Sequence, residues 1–155
     1  MLYLDIDGVL NPEQPAVGLT EHRIGNLTVR TNPAHTAWLA ELADCYDLVW
    51  ATTWEHHANE HIAPLFGLPP LPHVAFTEYE HRPDDPRYSV LQIPQMRKWP
   101  PILRHADGRR FAWVDDVIPL RMRWQAFPHR GVRLVRVDAR QGLTRRHVDG
   151  LLGWA

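Results

Sequence analysis

Five short apolar runs punctuate this chain of 155 residues: "LYLDI" (2–6), "DLVWAT" (47–52), "HVAFT" (73–77), "RFAWVD" (110–115) and "VRLVRV" (132–137). Most are continuous rather than alternating, the pattern of strands buried on both faces. Stretches of helical spacing lie between them. "NPAHTAWLAELADCY" (32–46) offers Asn32 or Thr31 as a cap, a proline in the first turn, and Trp38, Leu39, Leu42 and Cys45 on one stripe. "WEHHANEHIAPLFG" (54–67) ends near Gly67, and "KWPPILRHADG" (98–108) reads as a short helix opened by Lys98, with its prolines confined to the first turn. "IPLRMRWQAF" (118–127) is a weaker helical pattern, and "TRRHVDGLLGWA" (144–155) is a C-terminal helix capped by Thr144. Strands alternating with helices predict an α/β fold, a doubly wound parallel sheet of about five strands with helices on both faces and right-handed crossovers. The length fits one domain over residues 1–155.

Two segments break the alternation. "GLTEHRIGNLTVRTN" (18–32) reads as a small hairpin turning at its Gly-Asn pair, and "TEYEHRPDDPRYSVLQIPQM" (77–96), rich in proline and charge, reads as a long surface loop. Apolar residues make up 45% and charged residues 23%, a globular balance, and the formal net charge of -1 argues against nucleic acid as a default partner. Arginines do gather late in the chain, from Arg121 to Arg146, so nucleic acid is not excluded, although a solvated surface accounts for them. Cys45 is the only cysteine, which rules out a disulfide framework or a thiolate metal cluster. No apolar run reaches the ~18 residues of a membrane span, and Asp5 and Asp7 interrupt any N-terminal signal core. The expected compartment is the cytoplasm.

In open parallel sheets, ligands bind beyond the carboxyl ends of the strands. Those ends carry Asp5 and Asp7 after the first run, Thr52 and Thr53 after the second, and Asp115 and Asp116 after the fourth, with Lys98 just ahead of the fourth. Four carboxylates on one sheet edge repel one another unless a cation neutralises them. A hard divalent ion with oxygen ligands, Mg2+ above all, resolves the conflict.

These residues also carry a family resemblance. The chain resembles the haloacid dehalogenase-like hydrolases of the phosphatase type. Their four motifs match, in order over roughly residues 1–137, "LDIDGV", "LVWATT", "RKWPPI" and "FAWVDD". "DIDG" alone could be a strand-ending turn; the other three motifs in order weigh against that. Val9 stands where threonine is commoner. The resemblance implies a Rossmann-like sheet and a Mg2+-dependent phosphatase. Asp5 would be the nucleophile that forms an aspartyl-phosphate, and Asp7 the general acid and then base, its backbone carbonyl also ligating the metal. Gly8 would turn the backbone so that amide groups face the phosphoryl group. Thr52 would hydrogen-bond that group, although Thr53 remains an alternative because only one of two successive strand residues can point at the site. Lys98 would supply a point charge to it. Asp116 aligns with the usual metal ligand, and Asp115 is a water-mediated ligand or a partner of Lys98. Lys98 is the only lysine beside sixteen arginines, so a compact ammonium stands where arginine is otherwise used.

Histidines invite a second metal reading. "EHHANEH" sets His57 and His61 four apart with Glu60 beside them. The metalloprotease pattern His-Glu-x-x-His is absent, so a solvated helix face, or histidines lining the site, is the expected reading. A dehalogenase is disfavoured because it does not need Asp7. A phosphotransferase of the same fold and a catalytically silent binding module are the alternatives. Neither insertion point, 11–31 or 54–97, can hold a cap domain, so a hairpin flap is expected over an open site. An open site suits a broad or macromolecular phosphorylated substrate; whether a partner subunit covers it is left open.

Overall fold

The computed structural model describes residues 1–76, 94–119, 122 and 131–155, with the backbone alone for residues 94–97. Four strands, β1 (Leu2–Leu4), β4 (Leu48–Trp50), β5 (Phe111–Asp115) and β6 (Val132–Arg136), form one parallel sheet in the order β4-β1-β5-β6. The fifth expected strand, 73–77, contributes a single parallel bridge to β4 at His73. There Trp50 N–H donates to the Pro72 carbonyl and Val74 N–H to the Trp50 carbonyl, both at 2.9 Å. Residues 74–76 add no further strand pairing, and Thr77 lies outside the described residues.

Strand alternation sorts the core into two layers. Leu2, Leu4, Leu48, Trp50, Ala112 and Val114 face one side, where Leu39 and Leu42 of α1 (Ala34–Ala43) and Val148 and Leu151 of the C-terminal helix pack. Among the described residues the α-helices that follow α1 are α2 (His57–His61), α3 (Pro94–Ala106) and that C-terminal α4 (Arg145–Leu152). Tyr3, Val49, Phe111 and Trp113 face the other side, against Trp99, Ile102 and Ala106 of α3. Helices therefore cover both faces, as the continuous apolar runs require. No described helix is long and apolar enough to cross a membrane.

Two helix expectations are corrected. The 54–67 pattern is not one helix: α2 ends at His61 and a 3-10 turn spans Ala63–Phe66, because Pro64 lacks the amide hydrogen an α-helix interior needs. Gly67, at φ 67, closes the turn. The helix expected to open at Lys98 begins at Pro94, a residue suited to a first helical turn, so Pro100 and Pro101 lie inside it. Most of the expected helix 118–127 and loop 77–96 fall outside the described residues. The C-terminal helix starts as expected, with the Thr144 amide donating to His147 Nδ1 at 3.1 Å.

Residues 18–32 form the predicted hairpin. β2 (Thr20–Ile24) pairs antiparallel with β3 (Leu27–Thr31), and Gly25 takes the left-handed φ of 58 in the turn. No separate cap domain is present among the described residues. The loop between β1 and the hairpin is anchored from the far end of the chain: Leu143 N–H donates to the Val9 carbonyl at 2.7 Å. Gly142 sits there with φ 72, and a Cβ on it would lie 2.6 Å from that carbonyl oxygen. Gly142→Ala is therefore expected to lower stability by about 2 kcal/mol. Gly25→Ala, where φ is also positive but nothing lies within 4 Å, should lose less. Urea unfolding of the two variants checks the ranking.

Candidate active site

The sheet order reverses at β1. The chain leaves β1 toward β4 on one side and later returns to β5 on the other, which makes the carboxyl ends of β1 and β5 the topological switch point. Register does the rest. Leu4 pairs with Val114, and Asp5 N–H donates to the Val114 carbonyl at 3.1 Å, so Asp5 and Asp115 follow side by side. Alternation turns both toward the face of Tyr3 and Trp113, the face that α3 covers. Lys98 meets them from α3: its Nζ donates to Asp5 Oδ2 and, at 2.9 Å, to Asp115 Oδ2.

Asp115 is fully buried and Asp5 nearly so. Their second oxygens accept backbone amides, Asp5 Oδ1 from Ile6 at 2.8 Å and Asp115 Oδ1 from Val117 at 2.9 Å. Burial pushes the Asp5 carboxyl above the usual carboxylate range, against the downward pull of Lys98, and Asp115 adds to the rise. Against the effect of burial, Asp5 and then Asp115 hold the Lys98 ammonium above its ordinary value. Asp116 is half-buried, and its carboxyl is raised by burial and then by the charge of Asp115.

Asp5, Asp115 and Asp116 bring carboxylate oxygens within 4.8 Å of one another. One ammonium cannot balance three carboxylates. Beside Asp116, Gly8 at φ 72 leaves a space that a Cβ would close, since that atom would lie 2.6 Å from Asp116 Cγ. All the donors are hard oxygens. The residues thus fit a divalent cation of the Mg2+ kind, which Asp5 and Asp116 would hold while Asp115 stays bound to Lys98.

Asp7 stands apart. It is exposed, beyond the strand, in a turn where the Ile6 carbonyl accepts the amides of Val9, Leu10 and Asn11. Asn11 Nδ2 donates to its Oδ1 and Trp54 Nε1 to its Oδ2, both at 2.9 Å. Asn11 and Trp54 were not among the residues singled out in the sequence. Their closeness in sequence to Asp7 and to the Thr52–Thr53 pair was the available signal, but neither belongs to a motif. The two threonines differ in setting. Thr52 is buried at the end of β4, its Oγ1 3.5 Å from the Trp54 amide. Thr53 is exposed and borders a cleft that Asp7 also lines. His56, His57 and Glu60 also bring ligand atoms together, but all three are exposed and stand apart from the buried carboxylates. His57 Nδ1 and Glu60 Oε2 are 3.2 Å apart.

Over residues 1–148 the chain matches the family model of the HAD domain in Swiss Army Knife RNA repair proteins. HAD denotes the haloacid dehalogenase-like fold, whose chemistry is generally that of hydrolases and phosphatases. No curated protein and no solved structure matches the chain.

The two members of the acidic pair differ in what they support. Asp115→Ala, which strands a buried amide and half of an ion-paired ammonium, should destabilise the fold by about 3 kcal/mol. Asp116→Ala should stay within about 1 kcal/mol yet weaken Mg2+ binding more. Urea unfolding and metal titration of both variants measure this, and the reverse ranking of metal affinities would swap their roles.

Proposed function

The chain belongs to the HAD-domain family of Swiss Army Knife RNA repair proteins, and on that premise we propose that it is a Mg2+-dependent phosphatase acting on phosphoryl groups carried by large molecules, foremost the ends of RNA. One observation carries the reading: Lys98 holds the Asp5 and Asp115 carboxylates together at the switch point, with Asp116 close enough to share a cation.

Asp5 attacks phosphorus through a carboxylate oxygen, and the bond from phosphorus to the leaving oxygen breaks. Asp7 donates the proton that the leaving oxygen needs, then takes a proton from the water that attacks the aspartyl-phosphate. The phosphorus–Asp5 bond breaks, and inorganic phosphate and the free carboxylate result. Lys98 orients Asp5 and opposes the negative charge of the phosphoryl group. Gly8 allows the backbone turn that carries Asp7 past the strand end. Thr52 or Thr53 supplies a hydroxyl to the phosphoryl oxygens. Mg2+, when bound, neutralises charge between the carboxylates and the anionic substrate.

The family description and a hairpin flap beside a site that carries no separate cap domain among the described residues both favour a phosphate displayed at a macromolecular end. Asp5→Asn should lower phosphate release from p-nitrophenyl phosphate and from phosphorylated oligoribonucleotides by about a hundredfold or more, with the circular-dichroism spectrum unchanged. A variant that keeps more than about a tenth of the wild-type rate would sink the nucleophile assignment. Chelation should abolish turnover and Mg2+ should restore it. Metal-independent background release by the wild type would instead favour the silent binding module.

A further inference from the structure

A cleft of about 760 Å³ opens beside Asp7, between the hairpin and α2. Ile24, Leu27 and Val29 form its hairpin wall, and Trp54, His57 and His61 its opposite wall. We infer that this cleft is the leaving-group subsite and that it seats the terminal nucleoside of a phosphorylated nucleic-acid end; this rests on the phosphatase reading above.

Position comes first. Asp7 is in the wall of the cleft, whereas Asp5 and Asp115 line neither this cleft nor the cavity of about 590 Å³ on the far side of Asp116. That second cavity is bordered by Glu13, Arg136 and Arg140 and does not reach Asp7. A group that Asp7 protonates departs beside Asp7, and of these two spaces the first cleft is the one that reaches it.

Chemistry selects the occupant. Among the described residues neither lysine nor arginine lines the cleft, so the walls they form are not built to track a sugar-phosphate polyanion. Asn11, Thr28 and Thr53 add a few polar groups to a lining that is otherwise aliphatic and aromatic, too few to partner every hydroxyl of a bare sugar. The walls suit a flat base, which aromatic faces hold by stacking. Three rings are available. His57 and His61 are nearly parallel, 17° apart with centroids separated by 6.4 Å, and Trp54 meets His61 edge-on at 6.5 Å. Trp54 is tied to Asp7 through Nε1, so the ring that borders the leaving group also orients the acid. The volume is in the ordinary range for a small-molecule site, and Leu27, more than half exposed, leaves the mouth open for the rest of a strand. A phosphopeptide would bring a row of backbone amides and carbonyls against the same walls, more polar groups than Asn11, Thr28 and Thr53 can partner.

The test compares wild type, Leu27→Glu and the double variant His57→Ala/His61→Ala on four substrates. These are acetyl phosphate, which carries no nucleoside, 5′- and 3′-phosphorylated tetraribonucleotides, and a phosphoserine peptide. All three altered side chains are partly exposed, so both proteins should fold. Leu27→Glu should lower kcat/KM for the better tetranucleotide at least about tenfold relative to acetyl phosphate, mainly through KM, and the double variant at least about threefold. In parallel, calorimetric binding of the unphosphorylated tetraribonucleotide to wild type should be lost in Leu27→Glu. Equal losses on acetyl phosphate and tetranucleotide, or no loss, would overturn the subsite. A peptide preference that Leu27→Glu abolishes would overturn the nucleoside and identify a peptide instead. If the wild type hydrolyses no substrate, the phosphatase reading falls and the leaving-group role with it, while the binding arm by itself decides nucleoside seating: binding that Leu27→Glu removes upholds it, and no binding overturns it.

Discussion

Lys98 reaches from α3 to two carboxylates that stand on neighbouring strands, and the arrangement of the site depends on that bridge. Taking charged groups out of water costs several kcal/mol each, and here Asp5, Asp115 and Lys98 are all largely withdrawn from it. The carboxylates can share this edge only because the ammonium arrives between them. Its arrival is set by packing: Trp99, the next residue, stacks on Trp113 with centroids 6.1 Å apart, and Ile102 and Ala106 bury against the same sheet face. A lysine suits the position because a compact ammonium with three donors can satisfy two separate carboxylates, where a planar guanidinium favours a single one face-on.

Asp7 is only two residues from Asp5 but belongs to a different environment. Asp5 is still governed by the sheet, its amide bonded to Val114, whereas Asp7 is carried into solvent by the turn at Gly8. Its carboxylate is held by side chains instead. Asn11 serves twice: its Nδ2 donates to Asp7, and its Oδ1 accepts the Arg30 amide at 2.8 Å. The hairpin is thereby fastened to the residue proposed as the acid, and the cleft beneath the hairpin opens onto that residue. The proposed nucleophilic and proton-transfer roles thus fall to a buried, charge-paired carboxylate and an exposed, hydrogen-bonded one.

The alternation of continuous apolar runs with helical stretches sufficed to specify a parallel sheet covered on both faces, because strands without a polar face must be buried on both sides. Chemistry-bearing residues at the ends of those runs located the site, since parallel strands all end on one edge: Asp5, Asp115 and Asp116 do converge there, with Lys98. The Gly-Asn turn and its flanking strands were legible for the same local reason. Helix limits were less so. Pro94 and Pro64 act on hydrogen bonding several residues away, and whether a proline opens, interrupts or is carried inside a helix depends on what the helix packs against.

Non-local contacts lay beyond the sequence. That Asp5 stands beside Asp115 follows from the Leu4–Val114 register, and register is a property of two strands separated by more than a hundred residues. The pairing of Trp54 and Asn11 with Asp7, and the cleft lined by hairpin and α2, join elements that no periodicity connects. The sequence by itself determined which residue types would stand at the ends of the strands, through local hydrophobic pattern and turn chemistry. Only the tertiary structure decided which of them share charge, which are withdrawn from water and which face a space where a substrate can sit, because desolvation and Coulomb interactions depend on distances that folding alone sets.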